Sequence, residues 1–197
     1  MKSIGLPICK ASVLAMLDHR KTQTRRIIKP QPRNGIRRSV FSPSGLEDLH
    51  GYALKAPAHP GDELWFREKL HKLRGQVAYH ADNTLVVPIE VRDARLDLSM
   101  TVAWPWKRDV LPAIFMPRYA CRLFRTLADI RAERLQDISD VDIEEEGIEP
   151  VEDASGFGDD LYLTRLDFAK WWDELHGPGA WGRNEWVFVY TFRPLPS

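Results

Sequence analysis

The chain has 197 residues, 28 Lys/Arg against 28 Asp/Glu, and no formal net charge; 44% of its residues are hydrophobic and 28% charged. That length bounds it to one good core or at most two small domains, and the composition is ordinary for a globular protein. No run of about 18 apolar residues occurs, which excludes a membrane-spanning helix, and Pro7, Lys10 and Ser12 interrupt the apolar stretch near the N-terminus, which argues against a signal peptide.

In chain order, Val13, Leu14, Met16 and Leu17 suit one face of a short helix within residues 10–20. The next seven residues, Arg20-Lys21-Thr22-Gln23-Thr24-Arg25-Arg26, hold four cations and two hydroxyls. Residues 29–60, rich in Pro and Gly, read as a long connection. A turn at Pro60-Gly61-Asp62 leads into a strand over 63–68. A strand pair is expected at 76–81 and 85–91, turning at Asp82-Asn83. Residues 99–117 read as irregular, and two strands follow at 121–127 and 130–135. Ser139 is the expected N-cap of a helix through Glu146, stopped by Gly147. Acids at the end of that helix oppose its dipole, so Glu146 is oddly placed. An acidic loop at 151–160 precedes a helix capped by Thr164 and running to His176. Residues 185–193 (EWVFVYTFR) close the chain as a strongly β-prone strand.

The neutral total hides an asymmetry. Residues 1–38 carry ten Lys/Arg and one acid, Asp18, whereas residues 129–160 carry thirteen Asp/Glu against Arg131 and Arg134. Two readings stand: the basic segment meets a phosphate-bearing partner, or the two segments neutralise each other in the fold. Lys21 and Thr24 lie three residues apart, on one face if the first helix continues. A threonine becomes a nucleophile only when a base accepts its proton. A lysine serves as that base only where burial or neighbouring cations, such as Arg20, Arg25 and Arg26, favour its neutral form. The blander reading of the pair is a solvated basic helix end.

Other signals are weak. Cys9 and Cys121 have no metal spacing and fit a reduced, cytoplasmic protein or a single disulfide. The six histidines form no zinc-type pair, and no P-loop or nucleophile-elbow pattern occurs. Seven tryptophans offer packing or stacking surface. Alternating βαβ units are absent, so a small mixed or antiparallel barrel with helices outside is expected in place of a Rossmann-type sheet.

Residues 17–26 (LDHRKTQTRR) resemble the opening motif of ASCH-domain proteins, members of the PUA-like superfamily of small barrels associated with RNA. Lys21, Thr22, Thr24 and Arg26 match the pattern apolar-x-G-x-K-T-x-T-x-R, while His19 replaces its glycine. Residues 60–68 (PGDELWFRE), 115–120 (FMPRYA), 133–139 (ERLQDIS) and 146–148 (EGI) are similar to further segments of a larger phage and prophage subgroup. The resemblance implies an α+β fold: one PUA-like (ASCH) small mixed β-barrel with peripheral helices over 1–197, carrying insertions near 30–60 and 99–117. Some small bacterial members are amidohydrolases that deacylate N4-acetylcytidine through a lysine, a threonine and a glutamate. Those roles fall here on Lys21, Thr24 and Glu146. Arg26, Trp65, Arg67, Glu68 and Arg118 become the expected substrate contacts. No cofactor and no metal are expected, and the partner is a modified nucleoside or RNA and no membrane. A non-catalytic RNA- or modified-base-binding module, a ribonuclease, or a phage accessory protein acting through protein contacts are the alternatives.

Overall fold

A computed structural model describes residues 1–42, 44–87, 102–148 and 160–194 of the chain. It is a mixed α+β structure with more strands than helices. The described chain falls into two compact units. The first holds Met1–Asp18, Asp62–Thr126 and Pro194–Ser197, the second His19–Gly61 and Leu127–Arg193.

In the first unit, β1 (Ser3–Pro7) pairs in parallel with β5 (Glu63–Arg67), which pairs antiparallel with the opening residues of β9 (Phe124–Arg134). β5 is the strand expected from 63–68. β1 was not legible because Gly5 and Pro7 interrupt its alternation. Gly5 is required there: a Cβ on it would lie 2.6 Å from the Trp65 ring. Helix α1 (Lys10–Leu17) buries Val13 and Met16, one helical turn apart. Strands β6 (Leu70–Leu73), β7 (Gln76–Tyr79) and β8 (Val110–Leu111) form a second sheet in the order β7-β6-β8. Arg74 (φ 51°) and Gly75 (φ 83°) supply the two left-handed residues that a tight β6–β7 hairpin needs. β7 therefore pairs chiefly with β6, and the expected partner at 85–91 contributes a single bridge from Leu85 to Ala78 before the described residues end at Val87. The Asp82-Asn83 turn is present, with Asn83 at φ 62°. Leu70, Val77, Tyr79, Leu111, Met116 and Cys121 form this unit's core, and Trp65, Trp104 and Trp106 pack against it. Cys9 and Cys121 are both free thiols.

In the second unit, β9, β10 (Trp186–Pro194) and β2 (Gln23–Ile27) lie side by side in that order. β9 is one strand of 11 residues and not the expected two; exposed Asp129 interrupts the apolar pattern but not the backbone ladder. The long connection after β2 contains a short antiparallel pair, β3 (Ile36–Arg38) with β4 (Leu46–Asp48). Helix α2 (Asp140–Glu145) begins at Ser139, the expected N-cap, which forms a reciprocal capping box with Asp142. Helix α3 (Asp160–His176) starts four residues before the expected cap at Thr164. The acidic loop expected at 151–160 lies outside the described residues up to that helix. Leu135, Ile138, Ile143, Phe168, Trp172, Val187 and Val189 form the second core, joining α2 and α3 to one face of β10.

Among the described residues, no pairing closes the strands of either unit into a barrel, which corrects the expectation of a closed barrel. No described helix is long and apolar enough to cross a membrane.

Candidate functional site

The basic segment is not a continuation of α1. The helix ends at Leu17, and His19 takes φ 60°, the left-handed conformation that the glycine of the resembling motif would adopt freely. The chain then enters β2, so Lys21 and Thr24 do not share a helix face. Nor is the segment a solvated helix end: Lys21, Gln23, Thr24 and Arg25 are all buried, Lys21 to 2% exposure.

β2 runs antiparallel to β10 with Gln23 opposite Thr191, Thr24 opposite Tyr190, Arg25 opposite Val189, Arg26 opposite Phe188 and Ile27 opposite Val187. The Phe192 N–H donates to Thr22 O at 2.9 Å, extending the ladder by one residue. Successive side chains of a strand point to opposite faces, and directly opposed residues share one. Gln23, Arg25, Ile27, Val187 and Val189 therefore face α2 and α3. Thr22, Thr24, Arg26, Phe188 and Tyr190 face the other way.

On the helix-facing side, charges are matched closely. Arg25 donates to Glu133 at 2.7 and 3.1 Å and to Glu146 at 3.2 Å, and lies 3.4 Å from the Asp142 carboxylate. Arg131 reaches Asp142 at 2.6 Å and Glu133 at 3.1 Å. Burial alone would raise the Asp142 carboxyl, but hydrogen bonds from Ser139 and Arg131 and the charges of Arg25 and Arg131 outweigh it and hold it at about 2. The same carboxylates push Arg131 up against the opposing effect of its burial. Gln23 donates to the Glu145 carboxylate.

Glu146 sits at the C-cap of α2, and Gly147 (φ 81°) turns the chain out of the helix. The Thr22 N–H donates to Glu145 O at 2.8 Å, which brings the end of α2 to the edge of β2. Lys21 Nζ donates there to Glu146 O at 2.8 Å and to the Glu146 carboxylate. Both side chains are at most 1% exposed. A cation on the last carbonyls of a helix complements its dipole. Lys21 and Arg25 together offset the Glu146 charge that the helix dipole disfavours. Mutual neutralisation is thus the reading that holds for these members of the basic and acidic segments.

Of the expected catalytic set, Lys21 and Glu146 are in contact. Thr24 is buried at 6% exposure on the opposite face of β2 from Arg25, and among the described contacts its hydroxyl bonds to neither. Arg26, half-buried, shares the Thr24 face. The remaining expected contacts belong to the first unit. The Trp65 ring covers Gly5, and the Arg67 guanidinium lies 5.5 Å from its centroid while donating to Ile114 O at 2.8 Å and Gly5 O at 2.9 Å. Glu68 is 1% exposed and accepts from Arg122 at 2.8 and 2.9 Å; Arg122 also reaches Asp82 and lies 3.8 Å from the Tyr79 ring centroid. Arg118 donates to Glu63 at 2.6 Å.

Sequence reasoning took Arg25 only as a cation beside Lys21 and missed it as the centre of the buried network, whose signal was an arginine at strand spacing from Gln23 with acids concentrated in residues 129–160. It also missed Tyr190, hidden in an apolar run. Among the described residues, no group of three His, Cys, Asp or Glu is placed to hold a metal ion. Compared with protein-family models, curated proteins and solved structures, the chain matches none.

Proposed function

We propose that the chain is an ASCH-type, PUA-like protein that hydrolyses the amide of N4-acylated cytosine compounds, with Lys21, Thr24 and Glu146 as the reacting set. One observation carries this reading: a lysine withdrawn from water contacts a buried carboxylate at the edge of the strand that bears Thr24. In the proposed reaction Lys21 acts as a neutral amine and Glu146 carries the proton. The reading requires that a bound substrate bring the Thr24 hydroxyl and the lysine to the same carbonyl.

The chemistry then balances in two steps. Thr24 Oγ bonds to the acyl carbon while its proton passes to Lys21. The C–N4 bond breaks as Glu146 gives its proton to the leaving nitrogen, releasing the cytosine compound and leaving an acyl ester on Thr24. Water then adds to the ester, one of its protons passing to Glu146, and the carboxylic acid leaves as Thr24 Oγ regains a proton from Lys21. The half-buried Arg26 on the same face suits a substrate with developing negative charge. The activity is expected in the cytoplasm, on free nucleoside or on RNA.

The test is incubation of the purified protein with N4-acetylcytidine, following cytidine by chromatography. Turnover is expected, with Lys21→Ala, Thr24→Ala and Glu146→Ala each lowering kcat by about 100-fold or more. Turnover unchanged by Thr24→Ala removes the nucleophile. A non-catalytic module binding RNA or a modified base is favoured by one feature, the Thr24 hydroxyl standing apart from the Lys21–Glu146 pair. It predicts salt-dependent RNA affinity without product. Shortening of RNA would mark a ribonuclease instead.

A further inference from the structure

The face of β2 and β10 that carries Thr24 holds two polar atoms with no stated purpose. Tyr190 is 0% exposed, yet its Oη has no hydrogen-bond partner among the described residues, and the same holds for Thr22 Oγ. Buried tyrosine hydroxyls normally find a partner, because leaving one unmet forfeits its hydration for nothing. Both residues neighbour the proposed nucleophile on this face of the sheet. Tyr190 stands directly opposite Thr24 in the antiparallel register, and Thr22 precedes Thr24 by two residues on the same face. Opposed side chains on one face of a sheet are nearest neighbours, about 4.5–5.5 Å apart at Cβ. A hydroxyl row made of Thr22, Thr24 and Tyr190 has one member proposed to react and two without a bond.

We propose that Tyr190 is a further substrate-contacting residue, its phenolic hydroxyl donating the hydrogen bond that holds the acyl oxygen while Thr24 adds to the carbonyl carbon. This rests on the amidohydrolase reading above and adds a neutral donor to the charge of Arg26. The donor must keep its proton at neutral pH. Burial holds the Tyr190 hydroxyl above the ordinary range for a tyrosine, against a smaller opposing effect of the Arg26 charge. No proton transfers from Tyr190; it donates a hydrogen bond to the acyl oxygen as that oxygen gains negative charge, and the bond relaxes when the carbonyl re-forms. A preorganised donor of this kind is worth more in the transition state than in the ground state, because no dipole has to turn when the charge appears. The ligand class that fits is an amide carbonyl attached to the exocyclic amine of a pyrimidine.

Tyr190→Phe keeps the ring and removes only the hydroxyl. The expected result is a fall in kcat on N4-acetylcytidine of about 100- to 1,000-fold, with KM changed by less than about threefold. The ligand-free melting temperature should be unchanged or higher, because no hydrogen bond is lost. A hydroxyl that merely supports the fold would give the reverse, a lower melting temperature with kcat intact. Full turnover by Tyr190→Phe alongside an inactive Thr24→Ala overturns the Tyr190 assignment and leaves the amidohydrolase reading standing. If the wild-type protein shows no turnover, that reading fails, and calorimetric titration with N4-acetylcytidine and with cytidine decides the contact alone. Weaker binding of N4-acetylcytidine by Tyr190→Phe, about tenfold, with cytidine affinity unchanged, supports it. Equal binding by both proteins, or no binding by either, overturns it.

Discussion

The two faces of β2 differ in one respect. On the face toward α2, the polar groups of Gln23 and Arg25 meet partners, and Arg25 alone touches three carboxylates. On the opposite face, Thr22 Oγ and Tyr190 Oη are buried without one. Burying a polar group costs stability unless it is bonded, so the first face is arranged for the fold and the second tolerates a cost. The pleat of a short strand thus separates bonded polar groups from unbonded ones. The lysine that joins them lies just before the strand, where α2 ends against its edge. Function is consistently proposed on the unsatisfied face, because a ligand would complete it.

The largest effect expected from this contrast lies on the satisfied face. Arg25→Ala leaves Glu133, Asp142 and Glu146 facing one another with only Lys21 and Arg131 to balance them. Removing one member of a buried ion-pair network typically costs about 3–5 kcal/mol. Urea unfolding should show a loss of that order, and Arg25→Lys should not restore it, because an ammonium cannot span three carboxylates as a planar guanidinium does. A loss below about 1 kcal/mol, the scale of an exposed pair, would mean that the network does not hold β2 to α2.

A smaller effect is set by pH. The Asp142 carboxyl is held at about 2, below its ordinary 3.8, so its folded value is depressed. A depressed carboxylate contributes stability that is fully present above the unfolded value and is lost as pH falls through the folded one. Urea midpoints of the wild-type protein should therefore decline between pH of about 4 and about 2. Asp142→Asn should start lower at neutral pH and decline less across that window. Equal slopes for the two proteins would show that Asp142 gains nothing from Ser139, Arg131 and Arg25.

Local chemistry was readable in the sequence, and partnership at a distance was not. The Ser139 cap, the stop at Gly147, β5 and β10 each follow from residues within a few positions. β2 does not: Gln23 and Arg25 are polar, their partners lie more than 100 residues away, and such a run resembles a charged helix end. β1 and β6 were lost for a related reason, since four or five residues interrupted by Gly5, Pro7 or Lys72 give too little alternation. Asp129 reads as a break between two strands because its side chain is polar, whereas the backbone of β9 runs through it. The Lys21–Glu146 contact had one sequence signal, an acid at a helix end where the dipole disfavours it. Tyr190 had none, because one hydroxyl in a β-branched and aromatic run is read as core.

The smallest effect sharpens the comparison most. Thr22→Val replaces a hydroxyl by a methyl group of nearly the same shape and keeps the β-branched geometry that a strand favours. Had Thr22 Oγ been bonded, as Gln23 and Arg25 are, the change would cost about 1 kcal/mol or more. With no bond to lose, stability in urea should hold or rise by up to about 1 kcal/mol, as the desolvated hydroxyl disappears. The backbone would still be fixed, since the Thr22 N–H bonds to Glu145 O and its carbonyl accepts from Phe192. A clear loss of stability would place an unseen partner on Thr22 Oγ and remove the asymmetry between the two faces. A neutral or stabilising outcome, set against the cost at Arg25, means that the polar atoms of the Thr24 face are retained for something other than folding.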